Sequence, residues 1–598
     1  MKKILDEVCD FLYNKPCVLW NAREEEKMFK KMIKIALVAL LAMGMVACSS
    51  NTQGETNNES NPTVYEVKGS GYGGEMNLKV TIDNQTITDI ELVDSHETNV
   101  VIDRAFPVIK ERILVANSPV VDSVTAATFS SYAVKSAVAD AMKQAGLEVE
   151  EITFTTQGPA KEATVREAET VDIVIVGGGP SGLAAAISAK QTNADANVVI
   201  VEKLDILSGN GKFDMNFFDM INTEAQHASN NERYTVNQVE NFMEDKANCG
   251  ETAERIEVWA NGENTIDAWL RAMGVELNYN YGGTNHMAEA DQYAGEVIQA
   301  GLEKTAIELG VDIRTGTKGE DLIMDGKDVI GVKVTNNDNE SYDINAQAVI
   351  IATGGFCSNK ELLAEYAPGY EVLNTSNQMG TTGDFVKVFE ANGFKMDRMG
   401  KMSVFSNIIV PRRDLTGGAD MNILVNSAGE LLNGNLSGLD RGAMIQSQAD
   451  GAAYYITDST GYDSFYRIRK HVALGYYTEG STLDELAANL GIDAEGFKAS
   501  VEQYNADAEA GVENAITGTV PSRALDAEGP YYGVRIEAAN HMTKGGVVAN
   551  EKAQVLYEDD TVVNGLYAAG EVTWQSGGYS QSVVFGRIAG QEAAANLK

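Results

Sequence analysis

Cysteine is scarce in this sequence. The 598 residues contain five cysteines, and these are Cys9, Cys17, Cys48, Cys249 and Cys357. None of them lies in a CxxC or CxxCH arrangement, which argues against a thiolate zinc site and against covalently attached c-type haem. The spacing also indicates no disulfide framework.

Positive charge is scarce as well. Lysine and arginine together number 47 against 86 aspartate and glutamate residues, so the formal net charge is −39 and the calculated pI is about 4.5. A surface of this sign argues against nucleic acid and against an anionic membrane surface as partners. It does not define the substrate, because a local pocket can be basic inside an acidic protein.

A hydrophobic run long enough to cross a membrane is also missing near the N-terminus. The apolar run from Ile35 to Ala47 has 13 residues, whereas a spanning helix needs about 20. This length favours a signal peptide over residues 28–47, with a plain transmembrane anchor as the alternative. The segment Met45–Cys48 resembles a bacterial lipobox, and a lipid on Cys48 would hold the mature protein on the outer side of a membrane without spanning it.

The residues on either side of this segment fit the same interpretation. Residues 1–27 do not suit a position before a signal peptide, so we expect a mis-assigned start, with Met28 or Met32 as the true first residue. Residues 48–63 are polar and poor in apolar side chains, which is typical of a disordered tether.

A glycine-rich segment in the middle of the chain carries the strongest signal. The apolar run Val171–Val176 is followed at once by GGGPSG, an alanine-rich helix and a second apolar run that ends at Glu202. In this pattern Gly177 allows the tight turn, Gly179 lets a pyrophosphate approach the backbone, and Gly182 lets helix and strand pack closely. The helix N-terminus attracts the phosphates and Glu202 accepts hydrogen bonds from a ribose, so a dinucleotide site is predicted.

Residues 64–147 are predicted to form a small α+β domain. Two strand-like runs, Met76–Ile82 and Ile87–Val93, are followed by the sequence DSVTAAT and by a helix over residues 130–145. This unit resembles the FMN-binding domain of NADH:quinone oxidoreductase subunits and respiratory flavoproteins. The resemblance implies that an FMN transferase joins FMN phosphate to Thr128, with Asp122 as the upstream acid and Ala126 in place of the usual glycine. A threonine-rich turn before a helix is the alternative. Residues 148–170 are charged and are predicted to be a linker.

From residue 171 the chain alternates strands and helices, which predicts an α/β Rossmann-like domain. A glycine-rich turn at Ser208–Gly211 could contact the flavin. A buried strand over Ala348–Phe356 ends in a glycine turn, and Asp384 is expected to cap a helix.

Several motifs together resemble one flavoprotein family. These motifs are GGGPSG with its acid, ATGGF, TGD at 382–384, Gly570–Glu571 and FGRIAG at 585–590. The family contains the soluble fumarate reductases, the urocanate reductases, the flavoprotein subunits of succinate dehydrogenase and the 3-ketosteroid Δ1-dehydrogenases. The resemblance implies an FAD domain over 171–400 and 525–598, with a capping α+β domain inserted at 401–524.

Carried over by motif, the resemblance implies non-covalent FAD and a set of residues that hold it. These are Gly177, Gly179, Ser181, Gly182, Glu202, Lys203, Gly209, Asn210, Thr353, Gly354, Gly355, Asp384, Gly570, Glu571, Ser582 and Val583. The segment Ser580–Ser582 is expected to cap a helix that points at the flavin O2. No metal is implied.

The resemblance also implies the reaction. Reduced FAD gives hydride to the β-carbon of an activated alkene, a protein acid protonates the α-carbon, and FMN relays electrons to FAD. His541, in HMTKGG, matches the histidine that binds a substrate carboxylate, with a structural histidine as the alternative. A membrane or extracellular donor would supply the electrons.

The sequence departs from the fumarate reductases at three places. Residues 402–411 contain no second histidine, and Gly438 stands where the proton-donating arginine is expected, with Arg441 three residues on. Arg441 is either that acid, after a shift of the backbone, or a partner of a surface ion pair. The Asn–Arg pair that grips a carboxylate is replaced by a segment with Trp574 and Tyr579, which either act on substrate or pack against flavin.

A small dicarboxylate needs two carboxylate clamps, so these departures make fumarate an unexpected substrate. An enoate such as urocanate, or an aryl or larger monocarboxylic acrylate, fits better, as a respiratory electron acceptor. The alternatives are a fumarate reductase proper, a 3-ketosteroid Δ1-dehydrogenase-like enzyme and a non-catalytic electron-transfer flavolipoprotein.

Overall fold

The structure is a computed structural model, and it describes residues 62–71, 74–97, 99–207, 209–212, 215–229, 251–282, 284–289, 292–410, 412–417, 423–436, 438–573 and 578–598. Cys48 and the predicted start, signal peptide and most of the tether lie outside these ranges, as do Ser208 and Trp574. Each helix within the described ranges is either too short or too polar to cross a lipid bilayer.

The first domain packs two helices on one face of a three-stranded antiparallel sheet. Its elements are β1 (Thr63–Ser70), β2 (Glu75–Asp83), β3 (Thr86–Ser95), α1 (Asn99–Ala116) and α2 (Thr128–Gln144). Apolar side chains alternate along β2, at Met76, Leu78, Val80 and Ile82, and these enter one core with both helices. Helix α1 was not predicted, although Ile102, Ala105, Ile109 and Ile113 follow its buried face at helical spacing.

The second part begins with the predicted strand–turn–helix–strand unit and continues through a mixed sheet. Its elements up to the end of that sheet's first part are β4 (Thr164–Val165), β5 (Glu169–Val176), α3 (Pro180–Thr192), β6 (Val198–Val201), β7 (Phe218–Asp219), α4 (Glu224–Ala228), α5 (Ala253–Ala272), β8 (Tyr279–Gly282), β9 (Asn285–Met287), α6 (Ala294–Glu308), β10 (Asp312–Arg314), β11 (Thr317–Asp325), β12 (Asp328–Asn336) and β13 (Glu340–Ile351).

A second sheet and its helices follow, and the chain then returns to the first sheet. The remaining elements are α7 (Lys360–Tyr366), β14 (Asn374–Thr375), α8 (Val386–Ala391), β15 (Met396–Asp397), β16 (Met402–Ile409), β17 (Asp414–Leu415), β18 (Ile423–Val425), α9 (Gly438–Gln446), β19 (Ala453–Asp458), α10 (Ser459–Ser464), α11 (Tyr466–Ala473), β20 (Thr478–Gly480), α12 (Leu483–Leu490), α13 (Ala494–Ala510), β21 (Tyr531–Thr543), β22 (Gly546–Val547), β23 (Gln554–Leu556), β24 (Val562–Ala568) and α14 (Tyr579–Ala595).

The first of these two sheets has nine strands and a parallel centre. Along its main path the order is β10–β6–β5–β13–β12–β11, and β24 pairs in parallel with the end of β13. Strands β5 and β6 and the end of β13 are buried on both faces, which explains their continuous valine and isoleucine runs. Helix α14 packs against α3 on one face of this sheet. Residues from the beginning and from the end of the FAD domain therefore contribute to one core.

The second sheet has seven strands and is centred on β21. Strand β21 pairs with β16 along one edge and with β19 along the other. The predicted boundary between residues 524 and 525 therefore does not separate the two sheets, because β21 follows that boundary and yet belongs to the capping sheet. The apolar pattern of β21 identifies a strand but not the sheet with which it pairs.

Helix α5 spans Ala253–Ala272, and its first turns bury Ile256, Trp259 and Ala260 together with the Arg255–Glu251 ion pair at 2.7 Å. One further prediction needs correction. Asp384 does not cap α8, which starts at Val386.

Candidate functional site

An open cleft of about 1250 Å³ lies at the carboxyl ends of the parallel strands. This is the edge of an open α/β sheet at which ligands bind, since loops and helix N-termini converge there. Of the residues predicted to hold FAD, those that line the cleft are Gly177, Gly179, Ser181, Glu202, Lys203, Gly209, Asn210, Thr353, Gly354, Asp384, Gly570, Glu571 and Ser582.

The glycines of the fingerprint permit close approach of the backbone. Gly177 has a φ of +112°, and Gly179 forms the N-cap of α3, without a side-chain cap. A methyl group at Gly182 would lie 2.0 Å from the Gly177 carbonyl oxygen, so any side chain there would push α3 away from β5. The N-terminus of α3 therefore meets the cleft as bare backbone, which suits a pyrophosphate.

Glu202 closes the adenosine end of this arrangement. One of its carboxylate oxygens accepts a hydrogen bond from the Gly178 N–H at 2.7 Å, and the other accepts one from the Leu204 N–H at 2.9 Å. The side chain is buried, and burial raises the pKa of Glu202 despite these two donors. Its oxygens are thus held at the edge of the cleft in the position expected for contact with a ribose.

Asp384 takes part in an ion pair beside Glu202. Its carboxylate accepts a hydrogen bond from Lys203 at 2.6 Å and another from Thr382 at 2.8 Å. This contact explains why Asp384 is not a helix cap, because the lysine charge competes successfully with backbone N–H groups for the carboxylate.

Three hydroxyl groups give a direct test of whether the cleft fits a flavin dinucleotide. The hydroxyls of Ser181, Thr353 and Tyr579 are buried and have no hydrogen-bond partner within the described part of the chain, and all three residues line the cleft. A buried hydroxyl without a partner costs about 1–3 kcal/mol, so such groups indicate a ligand. Hydroxyls, backbone N–H groups and two carboxylates match the phosphates, sugars and ring edges of FAD.

Glu571 and Asn210 connect the flavin cleft to the second sheet. The Glu571 carboxylate accepts hydrogen bonds from the Thr543 N–H at 2.9 Å and from the Asn210 amide at 3.3 Å. Burial raises the pKa of Glu571 to about 7. Asn210 also donates to Asn377 at 2.5 Å, so its side chain links the glycine-rich turn to Asn377 and Glu571 on the wall of the cleft.

His541 lies where the second sheet meets the cleft. It is the extra residue of a β-bulge in β21, between Asn540 and Met542, which pair with Val404 and Ser403 of β16. Bulges redirect side chains next to active sites. Its Nδ1 is 2.8 Å from the Ser376 hydroxyl, and its ring packs edge-on against Phe405 at 4.5 Å. Burial lowers the pKa of His541 to about 4, so the ring is neutral near pH 7.

Tyr579 forms part of the wall opposite Gly211. Its ring packs edge-on against Phe218 with 5.0 Å between centroids, and burial raises the pKa of its hydroxyl. Tyr579 is the first residue of α14, and Gly578 is the N-cap. The predicted cap at Ser580–Ser582 is therefore wrong, because the Ser580 hydroxyl donates to Glu263 at 2.8 Å inside the protein.

Arg441 is not brought to the cleft. Its guanidinium donates to the Ser406 hydroxyl at 2.5 Å and to the Gly434 carbonyl at 2.9 Å. Helix α9, on which it lies, packs closely at Gly442 against Val404 of β16 and Ala538 of β21. Gly438, at the first turn of the same helix, carries no side chain that could replace it.

Three other predicted residues have packing roles in the structure. Gly182 lies against β5, and a side chain on Gly355 would collide with Thr543 and Glu571. Val583 is fully buried in the core between α14 and α3, so its side chain does not contact the cleft. A helical position beside a cleft residue cannot be told from a cleft position until the rotation of the helix is known.

Ser376, Asn377 and Met542 also line the cleft, although sequence reasoning did not select them. The Asn377 amide donates to the His541 carbonyl at 2.9 Å, and the Asn377 carbonyl accepts a hydrogen bond from Arg413 at 3.2 Å. No short motif marks Ser376 or Asn377, whereas Met542 lies in the HMTKGG motif that identifies His541.

A second cavity, with about 850 Å³ of empty space, lies at Thr128. Thr128 lines the cavity and is the first residue of α2, and the N-cap Ala127 provides no side-chain cap for the N–H groups of the first turn. Its wall carries two cations, Arg112 and Lys161, and two carboxylates, Asp122 and Asp205, of which Asp205 is paired with Arg112 at 2.6 Å. A helix N-terminus, the Lys161 ammonium and a hydroxyl fit the phosphate of FMN.

The turn before Thr128 is held from both sides. The Asp122 carboxylate accepts a hydrogen bond from the Gly158 N–H at 2.9 Å, and Arg112 donates to the carbonyls of Asp122 and Ser123. Lys135 is fully buried below the turn, where burial lowers the pKa of its amine. Ala126 has a φ of +73°, a conformation that glycine adopts without strain.

The dinucleotide cleft and the separate domain around Thr128 together define a flavoprotein with one site for FAD and one for FMN. Residues 172–582 match the family model for an FAD binding domain, and residues 71–143 match the model for an FMN-binding domain. The chain belongs to the family of FAD-dependent reductases that contains the fumarate and urocanate reductases.

Three relatives illustrate the similarity. The NADH:fumarate oxidoreductase of Klebsiella pneumoniae (strain 342) is 30% identical over 87% of this chain, which spans 57% of that longer protein. The fumarate reductase (cytochrome) of Shewanella frigidimarina is 31% identical over 73% of this chain and 80% of its own length. The urocanate reductase of Eggerthella lenta is 28% identical over 88% of this chain and 91% of its own.

A solved structure agrees with the fold. The open conformation of a flavocytochrome c3 fumarate reductase superposes with a TM-score of 0.66 and 25% sequence identity, covering 75% of this chain and 85% of that one. The predicted fold class, an α/β FAD domain with an inserted α+β domain and a preceding FMN domain, is confirmed.

Proposed function

We propose that this protein is an extracytoplasmic reductase that transfers hydride from FAD to an activated C=C bond of a monocarboxylic enoate. Urocanate and aryl acrylates represent the substrate class. The reduction would serve as the terminal step of a respiratory chain, with FMN attached to Thr128 as the electron relay and non-covalent FAD at the cleft.

The observation that carries this proposal is the composition of the cleft wall near His541. Within the described residues, His541 is the single histidine that lines the cleft, and no arginine lines it. One neutral imidazole and uncharged neighbours favour one carboxylate over two, since each carboxylate needs its own donors when it leaves water. Phe405, packed on His541, offers an apolar contact for the rest of the substrate.

The reaction needs a hydride and a proton at neighbouring carbons. FAD, when bound, supplies the hydride for the β-carbon, and the C=C bond becomes a single bond once the α-carbon receives a proton. With Nδ1 facing Ser376, the Nε2–H of His541 can donate to the substrate carboxylate. This donation stabilises the negative charge that develops when hydride arrives.

Tyr579 is the group that we assign to the proton. Its hydroxyl is buried at the cleft without a partner in the described chain, and its raised pKa keeps it protonated. Arg441, the other candidate acid, donates to Ser406 and Gly434 and does not line the cleft. Tyr579 is therefore the better candidate for delivering a proton to the α-carbon.

Anaerobic re-oxidation of the reduced protein tests this function. Protein reduced with viologen is mixed with urocanate, an aryl acrylate, fumarate or a 3-ketosteroid, and the flavin absorbance is followed. We expect rapid re-oxidation by the first two. Re-oxidation by fumarate or steroid alone, or by none of the four, would show that the assignment is wrong.

The Tyr579→Phe variant sharpens this experiment. We expect it to keep FAD and to lose about 10²-fold or more in the rate of re-oxidation, which is the usual contribution of a general acid. Tyr567→Phe removes a hydroxyl from a buried tyrosine whose contact is with Asn596, outside the cleft, and serves as the control. An unchanged rate in Tyr579→Phe would assign the proton to another group.

A further inference from the structure

The FMN cavity is not made by the FMN domain alone. Most of its wall comes from residues 112–161, but Asp205 and Asn337 belong to the FAD domain and complete it. Asp205 contacts Thr125 in the turn before Thr128, and Asn337 contacts Asp205 and the linker residue Lys161. We propose that Asp205 and Asn337 form part of the FMN site, and that the segment Glu202–Leu207 is a rigid bridge that fixes the two flavin sites relative to each other.

Asp205 is the polar centre of this contact. One of its carboxylate oxygens accepts from Arg112 at 2.6 Å and from Asn337 at 2.5 Å, and the other accepts from the Thr125 N–H at 2.7 Å and the Thr125 hydroxyl at 3.0 Å. The side chain is 5% exposed, so these hydrogen bonds are shielded from water. A buried carboxylate with four donors holds the turn of one domain firmly against the loop of the other.

The residues around Asp205 contact both sites. Residues 202–204 line the FAD cleft, Asp205 lines the FMN cavity, Ile206 enters the hydrophobic core of the FMN domain and Leu207 enters the core of the FAD domain. The chain bends at residues 203–206, so this short segment faces both sites. These six residues thus contact the FAD cleft, the FMN cavity and both cores, which leaves the segment little freedom.

The loop with Asn337 is tied to the same segment. The Leu204 carbonyl accepts from the Gly316 N–H at 2.8 Å, and the Gly316 carbonyl accepts from the Asn337 N–H at 2.7 Å. A side chain at Gly316 would collide with the Asn337 amide at 2.3 Å. Lys161 then donates to the Asn337 carbonyl at 2.8 Å, so the linker closes the ring of contacts around the cavity.

The consequence concerns electron transfer between the flavins. With both flavins bound, FMN would give up two electrons and two protons and FAD would take up the same number, with the protons exchanged through water. Asp205 and Asn337 would keep the FMN site at a constant separation from the FAD cleft, on which the rate of this transfer would depend. The bridge makes this step independent of domain motion. This inference rests on the proposed attachment of FMN to Thr128, and not on the identity of the alkene.

The chain offers a matched control for the bridge. Arg104 and Glu303 form another ion pair between the two domains, at 2.7 Å and with side chains 25% and 16% exposed. Neither residue lines a cavity described here. Asp205→Ala and Glu303→Gln therefore each remove an interdomain ion pair, but only the first alters the FMN site.

The test uses the full-length protein loaded with both flavins. Flavin fluorescence in a denaturing gel measures covalent FMN, laser-flash photoreduction without alkene follows the redistribution of electrons between flavins, and hydrogen–deuterium exchange reports on residues 122–128 and 202–206. For Asp205→Ala we expect a rate about tenfold lower or more, because truncating one member of a buried charge pair is costly. Exchange should increase in both segments, and Glu303→Gln should behave like the wild type.

A wild-type rate and wild-type exchange in Asp205→Ala would overturn the proposal, and so would an equal loss in both variants. If Asp205→Ala does not fold, Asn337→Ala is expected to produce the same selective loss. Failure of the enoate assay with a normal flavin-to-flavin rate would disprove the proposed function and leave the bridge intact. Absence of covalent fluorescence in the wild type would refute the attachment on which the bridge is based.

Discussion

Ala126 shows at the scale of one residue how a departure from a motif is accommodated. The related FMN motif has glycine at this position, and the backbone here keeps a φ of +73° although the residue is alanine. A non-glycine residue in the left-handed region costs about 1–2 kcal/mol, because its Cβ approaches the following carbonyl oxygen. The strained residue lies two positions before Thr128, in the turn that leads into the helix carrying that side chain.

The Ala126→Gly variant is expected to be more stable by about 0.5–1 kcal/mol, since relief of strain exceeds the extra entropy of glycine in the unfolded chain. Chemical denaturation of the full chain measures this difference. Ala137→Gly, in the interior of α2, should instead lose about 1 kcal/mol. If both variants are destabilised to the same extent, Ala126 is not strained.

His541 illustrates a residue whose charge state follows from burial. The pKa of its ring is lowered from 6.5 to about 4, so the unfolded chain binds more protons than the folded one between these values. The contribution of His541 to stability is therefore complete above pH 6.5 and is lost as the pH falls toward 4. The ring stays neutral in the range in which the enzyme would work.

The His541→Asn variant should lack this dependence. Between pH 7 and pH 5 the wild type is expected to lose about 1–2 kcal/mol more stability than the variant, as measured by denaturant unfolding at each pH. His96→Asn is the control, because His96 is exposed. Equal pH dependence in wild type and His541→Asn would show that the ring is not held neutral.

At the scale of elements, the contact between β5 and α3 determines whether FAD can bind. The helix starts directly at the strand end, and the small residues at the contact allow the N–H groups to reach the phosphates. Gly182 is the tightest point of this contact, with no space for a methyl group.

Gly182→Ala is expected to destabilise the protein by about 1–3 kcal/mol and to abolish retention of FAD, because α3 must move outward. The ratio of FAD to protein after purification and the unfolding midpoint measure both effects. Ser188→Ala lies in the same helix, is 1% exposed and removes a hydroxyl without a partner in the described chain. It should keep FAD and be no less stable than the wild type, because a buried hydroxyl without a partner costs about 1–3 kcal/mol. Full FAD content in Gly182→Ala would contradict the role given to this contact.

The second sheet shows how elements distant in the sequence form one site. Strand β21 provides His541 at a bulge, whereas its partner β16 provides Phe405 more than a hundred residues earlier. The apolar patterns of the two strands predict that both exist. Their register, and hence the bulge, depends on side chains from both strands and cannot be read from either one.

At the scale of the whole molecule, the proposed location of the protein rests on its N-terminus. A lipid on Cys48 would hold the two flavin domains at a membrane surface, and there a membrane or extracellular donor could reach FMN. This arrangement also suits the acidic surface, since an anionic membrane would otherwise repel it.

The Cys48→Ala variant is expected to move from the membrane fraction to the soluble fraction and to lose labelling by a fatty-acid probe in the native host. The control is Ser49→Ala, which should remain on the membrane and keep the label. A labelled or membrane-bound Cys48→Ala protein would exclude Cys48 as the anchor.

The sequence by itself determined the fold class, the family and both cofactors. These depend on local chemistry: an apolar strand, a glycine turn and an acid twenty residues later must lie near one another, because short segments connect them. For the same reason, most residues predicted to hold FAD line the cleft in the structure.

Only the tertiary structure decided which side chains meet across domains. Arg441 and Val583 stand beside the expected positions in the sequence, but helix rotation directs one to Ser406 and the other into the core. Asp205 has no motif, and its role appears only when a loop of one domain closes the cavity of another. Such contacts result from the packing of whole elements, which no spacing along the chain encodes.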